Sequence, residues 1–136
     1  MPPTPTTIAD GVSYLCHPHH RNNHPHKSQW TISVHDEIRS FRKARSNDWF
    51  CGEAGWGIHP DAPDVIEVGA ACDRSTRLML AKYVCKNDQG EWHGYPANHQ
   101  LDQDRPPDTI VRIWFTGKII PRAKLRKIQK GQLCSL

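Results

Sequence analysis

The sequence has no long hydrophobic run. None of its 136 residues lies in an unbroken apolar stretch of about 18 residues, the length that a membrane-spanning helix requires. The first seven residues, Met-Pro-Pro-Thr-Pro-Thr-Thr, lack the basic block and the apolar block of a secretory signal. These absences predict a cytoplasmic protein without a membrane-spanning helix.

Several sequence motifs are also missing. There is no Cys-x-x-Cys pair, and the five cysteines are an odd number, so we expect reduced thiols rather than a disulfide framework. The sequence contains no G-x-x-x-x-G-K-[ST], no G-x-G-x-x-G and no G-x-S-x-G. These absences argue against nucleotide hydrolysis by a P-loop, Rossmann-type cofactor binding and α/β-hydrolase chemistry.

Acidic residues are absent from the C-terminal end. Residues 109–136 contain seven basic residues and no acidic one, whereas residues 1–108 contain 11 basic and 14 acidic residues. Arg39, Arg42, Lys43 and Arg45 form a second basic cluster. Concentrated positive charge favours a polyanionic partner such as nucleic acid, and the alternative is a solvated helix face that needs no partner.

The hydrophobic pattern predicts a small α+β domain over residues 30–136, preceded by an irregular histidine-rich arm over residues 1–29. Apolar–polar alternation and short apolar runs predict an antiparallel sheet of about four strands, near residues 30–34, 65–71, 78–85 and 91–95. The last two strands are expected to form a hairpin, because Gly90 supplies the positive φ that a tight turn needs.

Three helices are predicted to pack against this sheet. Ile38 and Phe41 give an apolar face to one central helix over residues 36–45. A C-terminal helix pair follows, in which Gly117 ends the first helix and Pro121 begins the second. The pair also has the charge of a helix-turn-helix DNA-binding motif, but only Gln129 and the arginines suit contacts with bases.

Five histidines and one cysteine lie within residues 16–26, which we call the histidine tract. Imidazole and thiolate are common zinc ligands, and Cys16, His20 and His24 are the candidate metal ligands. No spacing in the tract matches a zinc-finger pattern, and two prolines interrupt it. The alternatives are an arm without metal and a segment that binds polyanions in a pH-dependent way.

The second strand of the predicted hairpin carries the main candidates for catalysis. Residues 91–96 are Glu-Trp-His-Gly-Tyr-Pro. His93 is suited to general acid or base chemistry near neutral pH, and Tyr95 is suited to stacking on a nucleobase. His59 is a further candidate acid or base. The alternative is a structural hairpin whose histidine is hydrogen-bonded for stability.

These features together favour a small basic protein that binds or acts on nucleic acid, with RNA slightly favoured over DNA. Metal-independent RNA cleavage needs a base, an acid and cations near the phosphate, so the composition is compatible with a toxin-like ribonuclease. Seven basic residues are expected to contact phosphates: Arg39, Arg42, Lys43, Arg122, Lys124, Arg126 and Lys127.

Two other hypotheses stay open. A regulatory or scaffolding module would bind zinc through the histidine tract. A protein-interaction module would bind a partner through the glycine-rich segment 49–58, which contains Trp49, Phe50 and Trp56. The same aromatic side chains are typical of a small core, where burial of each ring contributes about 1.5–3 kcal/mol.

Overall fold

The computed structural model describes residues 4–61, 66–86 and 90–132. Nine strands lie in these ranges: β1 (Thr6–Ala9), β2 (Val12–Leu15), β3 (Gln29–Trp30), β4 (Phe50–Cys51), β5 (Ala54–Gly57), β6 (Gly69–Ala70), β7 (Arg77–Leu78), β8 (Leu80–Lys86) and β9 (Glu91–Ala97). The helices are α1 (Val34–Ser46), α2 (Asp108–Thr116) and α3 (Arg122–Gln129), with 3-10 turns at Pro18–His20 and Asp102–Asp104. None of these helices has the length and hydrophobicity of a membrane-crossing segment.

Six of the described strands form one mixed sheet, in the order β1-β2-β9-β8-β5-β4. Its neighbours are antiparallel except β2 and β9, which run parallel with Leu15 opposite His93. The other three form a small sheet in the order β3-β6-β7. The α+β class and the β8–β9 hairpin are therefore confirmed. The predicted hairpin turn includes residues 87–89, which lie outside the described residues.

The predicted sheet of about four antiparallel strands is wrong, because the described residues form nine strands in two sheets and one pair is parallel. The prediction of an irregular arm over residues 1–29 is also wrong in part. Strands β1 and β2 lie within this range and extend the six-stranded sheet. Strands of two to four residues show too little alternation to be distinguished from loops. The sequence pattern therefore could not identify them.

The junction before the first helix also differs from the prediction. Only Gln29 and Trp30 are in a strand, and α1 already begins at Val34. The side chain of Ser33 caps the helix, because its Oγ accepts a hydrogen bond from the backbone N–H of Asp36 at 3.1 Å. Local capping thus overrides the alternating pattern of residues 30–34.

Aromatic side chains dominate the core. Phe41 of α1 packs against Tyr14 of β2 and Tyr83 of β8, with ring centroids 4.7 Å and 5.2 Å away. Trp114 of α2 meets Trp49 edge to face, with ring centroids 5.7 Å apart. These five side chains are buried. Because both α1 and α2 contribute to the same core, the prediction of one central helix is wrong in this detail.

Gly94 of β9 is required by this packing. A Cβ atom at this position would lie 2.5 Å from the ring of Tyr83 and 2.7 Å from the hydroxyl of Tyr14. Any larger residue would push the two tyrosines out of the core. The glycine therefore lets aromatic rings approach the strand backbone closely.

A buried carboxylate joins the N-terminal segment to α1. Glu37 is 0% exposed, and its Oε2 accepts a hydrogen bond from the hydroxyl of Tyr14 at 2.6 Å. Its Oε1 accepts bonds from Nε and Nη2 of Arg21 at 3.1 Å and 2.8 Å. Burial raises the pKa of Glu37, and these hydrogen bonds oppose that rise. Arg21 also donates to the carbonyl of Ile32 at 2.9 Å, so one guanidinium holds two segments together.

We predict that Glu37→Ala lowers the free energy of unfolding by about 3 kcal/mol, because removing one partner of a buried ion pair leaves the other without compensation. Glu37→Gln should cost less, since it keeps an acceptor for Tyr14. Urea unfolding monitored by tryptophan fluorescence measures both changes.

The matched control is Arg42→Ala on the exposed face of the same helix, which should change stability by no more than about 0.5 kcal/mol. An equally small effect of Glu37→Ala would show that the buried carboxylate does not hold the segment in place.

Candidate functional site

A cleft of about 430 Å³ lies over β9. One wall comes from residues 20–28 and the other from residues 98–104, and His93 and Tyr95 line the floor between them. The polar side chains that line it include His20, His26, Lys27, His93, Tyr95 and Asp104. The cleft therefore brings together two of the three predicted catalytic residues and part of the histidine tract.

Strand pairing explains why these residues meet. His93 and Tyr95 are two residues apart on β9, so their side chains lie on the same face of the sheet. Leu15, at the end of β2, is paired in parallel with His93. The histidine tract begins at the next residue and therefore continues beside the C-terminal half of β9. A ring-centroid distance of 5.8 Å between His17 and His93 confirms this proximity.

His20 is held in one orientation. Its Nδ1–H donates a hydrogen bond to the carbonyl of Ser28 at 2.9 Å, and its ring stacks on Tyr95 with centroids 5.4 Å apart. Burial lowers the pKa of His20 to about 4, and the positive charges of His17, Lys27 and His93 act in the same direction. The hydrogen bond to Ser28 opposes this shift. His20 is therefore neutral at pH 7, with Nε2 as its basic nitrogen.

Tyr95 connects the two walls of the cleft. Its ring stacks on His20, and its hydroxyl donates a hydrogen bond to Oδ1 of Asp104 at 2.8 Å. Burial raises the pKa of Tyr95, and the neighbouring carboxylate raises it further. The phenol thus stays protonated at neutral pH and acts as a hydrogen-bond donor.

Arg74 anchors the histidine-rich wall. Its guanidinium donates hydrogen bonds to Oδ1 of Asn23 at 2.7 Å and to the carbonyls of His24 and Lys27 at 2.8 Å and 3.1 Å. The side-chain amide of Gln29 donates to the carbonyl of His19 at 2.7 Å. These contacts fix a segment that has almost no hydrophobic side chains of its own.

The structure does not bring His59 to the cleft. It follows β5, and its Nδ1 accepts a hydrogen bond from the backbone N–H of Asp61 at 3.2 Å. Of the ionisable residues that line the cleft, sequence reasoning gave no site role to His26, Lys27, Cys72 and Asp104. His26 and Lys27 lie in or beside the histidine tract. The composition of the sequence identified this region, but it did not predict that the region contacts β9. Nothing in the local sequence distinguishes Asp104.

The three candidate metal ligands do not converge. Cys16 contacts Glu37. Burial raises the pKa of the Cys16 thiol to about 12, and the negative charge of Glu37 acts in the same direction. The ring of His24 lies near His19 and His26, at centroid distances of 5.1 Å and 5.9 Å, whereas His20 stacks on Tyr95. In the described ranges no group of three or more histidine, cysteine, aspartate or glutamate residues could hold a metal ion. The zinc hypothesis gains no support.

The basic residues of α1 are partly engaged in contacts within the protein. Arg39 forms salt bridges with Asp36 at 3.0 Å and with Asp61, and Nζ of Lys43 donates to the carbonyl of Pro60 at 3.3 Å. Arg42 is exposed beside a small groove that it lines with Arg45. Of the predicted phosphate contacts on α1, Arg42 is thus the most accessible.

The basic residues of α3 form a second surface. Arg122 and Arg126 are exposed, whereas Lys124 and Lys127 are half-buried. The guanidinium of Arg122 lies over the ring of Phe115, 5.4 Å from its centroid, an arrangement that keeps the charge at the surface. Arg122 and Arg126 thus place positive charge at the surface of α3.

Comparisons with known proteins found no match: none for the family models, none among the curated proteins and none among the solved structures. The geometry of the cleft is therefore the basis for proposing a function.

We predict that the stability of the protein falls as pH decreases from 6.5 to about 4. In this window the unfolded chain binds a proton at His20 while the folded chain does not, because its folded pKa is lowered to about 4. The unfolded state is thus favoured by acid. Urea unfolding between pH 4 and pH 7.5 measures the trend.

His20→Gln isolates this contribution, because the variant has no imidazole at that position. The stability of the wild type relative to His20→Gln should rise with pH across the window, whereas the exposed His35→Gln should track the wild type. A pH-independent difference for His20→Gln would contradict the lowered pKa.

Proposed function

We propose that the protein binds single-stranded RNA in this cleft and cleaves its backbone without a metal ion. The observation that carries the proposal is that His20, His93 and Lys27 line one cleft. A pair of imidazoles supplies a base and an acid, and an ammonium group supplies positive charge for the phosphate. These are the groups that cleavage at a 2′-hydroxyl requires.

In the proposed reaction, the neutral His20 acts as the base. Its Nδ1 proton is held by the Ser28 carbonyl, so Nε2 takes the proton from the 2′-hydroxyl. The 2′-oxygen then attacks phosphorus while the bond to the 5′-oxygen breaks. His93 donates a proton to that leaving oxygen, and Lys27 stabilises the negative charge on the phosphate.

The preference for RNA follows from this chemistry, because DNA lacks the 2′-hydroxyl that serves as nucleophile. Unpaired bases are favoured since a cleft floored by Tyr95 offers hydrogen-bonding and stacking groups that a paired base cannot reach. The exposed arginines of α3 would contact phosphates away from the cleaved bond, whereas α1 packs on the opposite face of the sheet, where Phe41 meets Trp92.

The protein-interaction hypothesis gains no support from segment 49–58. Trp49 and Trp56 are 2% and 6% exposed, and Nε1 of Trp56 donates to the carbonyl of Asp104 at 3.0 Å. The segment forms the β4–β5 hairpin and covers the core. Its tryptophans therefore offer little surface to a partner.

We predict cleavage of labelled single-stranded RNA in the presence of chelator, and none of the DNA of the same sequence. His93→Ala and His20→Ala should each lower the rate about 100-fold, the typical contribution of one acid or base. The exposed His35→Ala is the matched control and should retain the wild-type rate. Full activity in His93→Ala, or complete inhibition by chelator, would disprove the proposed mechanism.

We also predict that RNA binding weakens steeply with salt, because each phosphate contact releases counterions. Arg126→Gln should reduce the slope of log affinity against log salt by about 0.7, the value for one contact with a single strand. Arg77→Gln, which removes one charge at the edge of the small sheet, is the matched control and should leave the slope unchanged. Fluorescence anisotropy with a non-cleavable strand measures both slopes.

A further inference from the structure

The two walls of the cleft differ in charge. The wall formed by residues 20–28 contributes His20, His26 and Lys27, whereas the wall formed by residues 98–104 contributes the carboxylate of Asp104 and the amide of Asn98. A phosphate group is attracted by the ammonium of Lys27 and repelled by the carboxylate of Asp104. A nucleotide whose phosphate bound beside Lys27 would present its base, rather than its phosphate, to Asp104.

The carboxylate of Asp104 has room for another donor. Its side chain lies at the cleft although the residue is only 8% exposed. Among the described residues, Oδ1 accepts one hydrogen bond from Tyr95 and Oδ2 accepts one from the backbone N–H of Asn98 at 3.3 Å. A carboxylate accepts about four hydrogen bonds, so Asp104 retains acceptor capacity towards the cleft.

The wall that carries Asp104 is preorganised. Nε of Arg105 donates to the carbonyl of His99 at 2.9 Å, and Nζ of Lys82 donates to the carbonyl of Gln103. Trp56 binds the main chain of Asp104 itself. A carboxylate fixed in this way binds a donor without an ordering cost.

The remaining surface of the cleft suits a flat ring. Leu78, Pro96 and Leu101 supply apolar contacts, and Leu101 is 46% exposed at the rim. The volume of about 430 Å³ lies within the range of small-molecule sites. One nucleobase with its sugar and phosphate matches both the size and the polarity of the space.

We infer that Asp104 determines base specificity by accepting a hydrogen bond from an exocyclic amino group. The inference rests on the proposed function and specifies its substrate: a nucleotide whose base is cytosine or guanine rather than uracil or hypoxanthine. Uracil presents carbonyl oxygens where cytosine presents an amino group, and a carboxylate repels those oxygens. Asp104 is thus a specificity residue that contacts the base and takes no part in the proton transfers.

The test compares ligand pairs that differ at the amino group: guanosine with inosine 3′-monophosphate, and cytidine with uridine 3′-monophosphate. We expect the amino-bearing member of at least one pair to bind about tenfold more tightly, within the range for one specific base contact. Calorimetric titration of the wild-type protein measures the four dissociation constants. Equal affinities within both pairs would overturn the inference.

Two variants assign the discrimination to the carboxylate. Asp104→Asn keeps an acceptor for the Tyr95 hydroxyl but removes the charge, and it should bind both members of each pair equally. Asp102→Asn is the matched control, because its side chain is 94% exposed and the residue does not line the cleft; it should discriminate like the wild type. Discrimination retained in a folded Asp104→Asn would also overturn the inference.

The imidazole NMR signals of His20 and His93 separate the two proposals. If the nucleotides shift these signals without preferring an amino group, the specificity inference fails and the proposed function stands. If they shift neither signal and RNA is not cleaved, the proposed function fails, and the inference fails with it.

Discussion

The burial of one carboxylate determines how the N-terminal quarter of the chain is arranged. Glu37 lies on the inner face of α1 without solvent, and an unpaired charge in that position would cost several kcal/mol. Tyr14 and Arg21 remove that cost by donating three hydrogen bonds to it. Both donors come from the segment before α1. The carboxylate therefore fixes β2 and the start of the histidine tract against the helix, although this segment has few apolar side chains with which to pack.

The position of the candidate site follows from this constraint. Once Tyr14 is fixed, β2 pairs with β9 in the parallel direction, and the next residues run beside His93 and Tyr95. Arg74 and Gln29 then hold the tract through backbone carbonyls. A tract rich in histidine and proline would otherwise be a poor candidate for a defined structure. Here it forms one wall of a cleft because polar contacts replace the hydrophobic ones that it lacks.

The cleft also shows how one sheet strand can support two different chemical environments. Tyr95 stacks on His20 on one side and donates to Asp104 on the other. The imidazoles and Lys27 thereby face a carboxylate across a single side chain. Opposite charges within one cleft, here those of Lys27 and Asp104, orient an asymmetric ligand, and a nucleotide, with its anionic phosphate and its hydrogen-bonding base, has that asymmetry. The proposed reaction and the proposed specificity both depend on this arrangement.

The sequence alone determined the α+β class, the three helices and the β8–β9 hairpin, because these features arise from patterns within one element or between neighbouring ones. The tertiary structure decided the short strands of the arm, the absence of His59 from the cleft and the presence of Lys27 and Asp104 in it. These depend on contacts between distant parts of the chain, such as the hydrogen bond from Ser28 to the carbonyl of Pro96, 68 positions away. The periodicity of a short stretch of sequence carries no information about such contacts. They form because Glu37 is buried and because β2 pairs with β9.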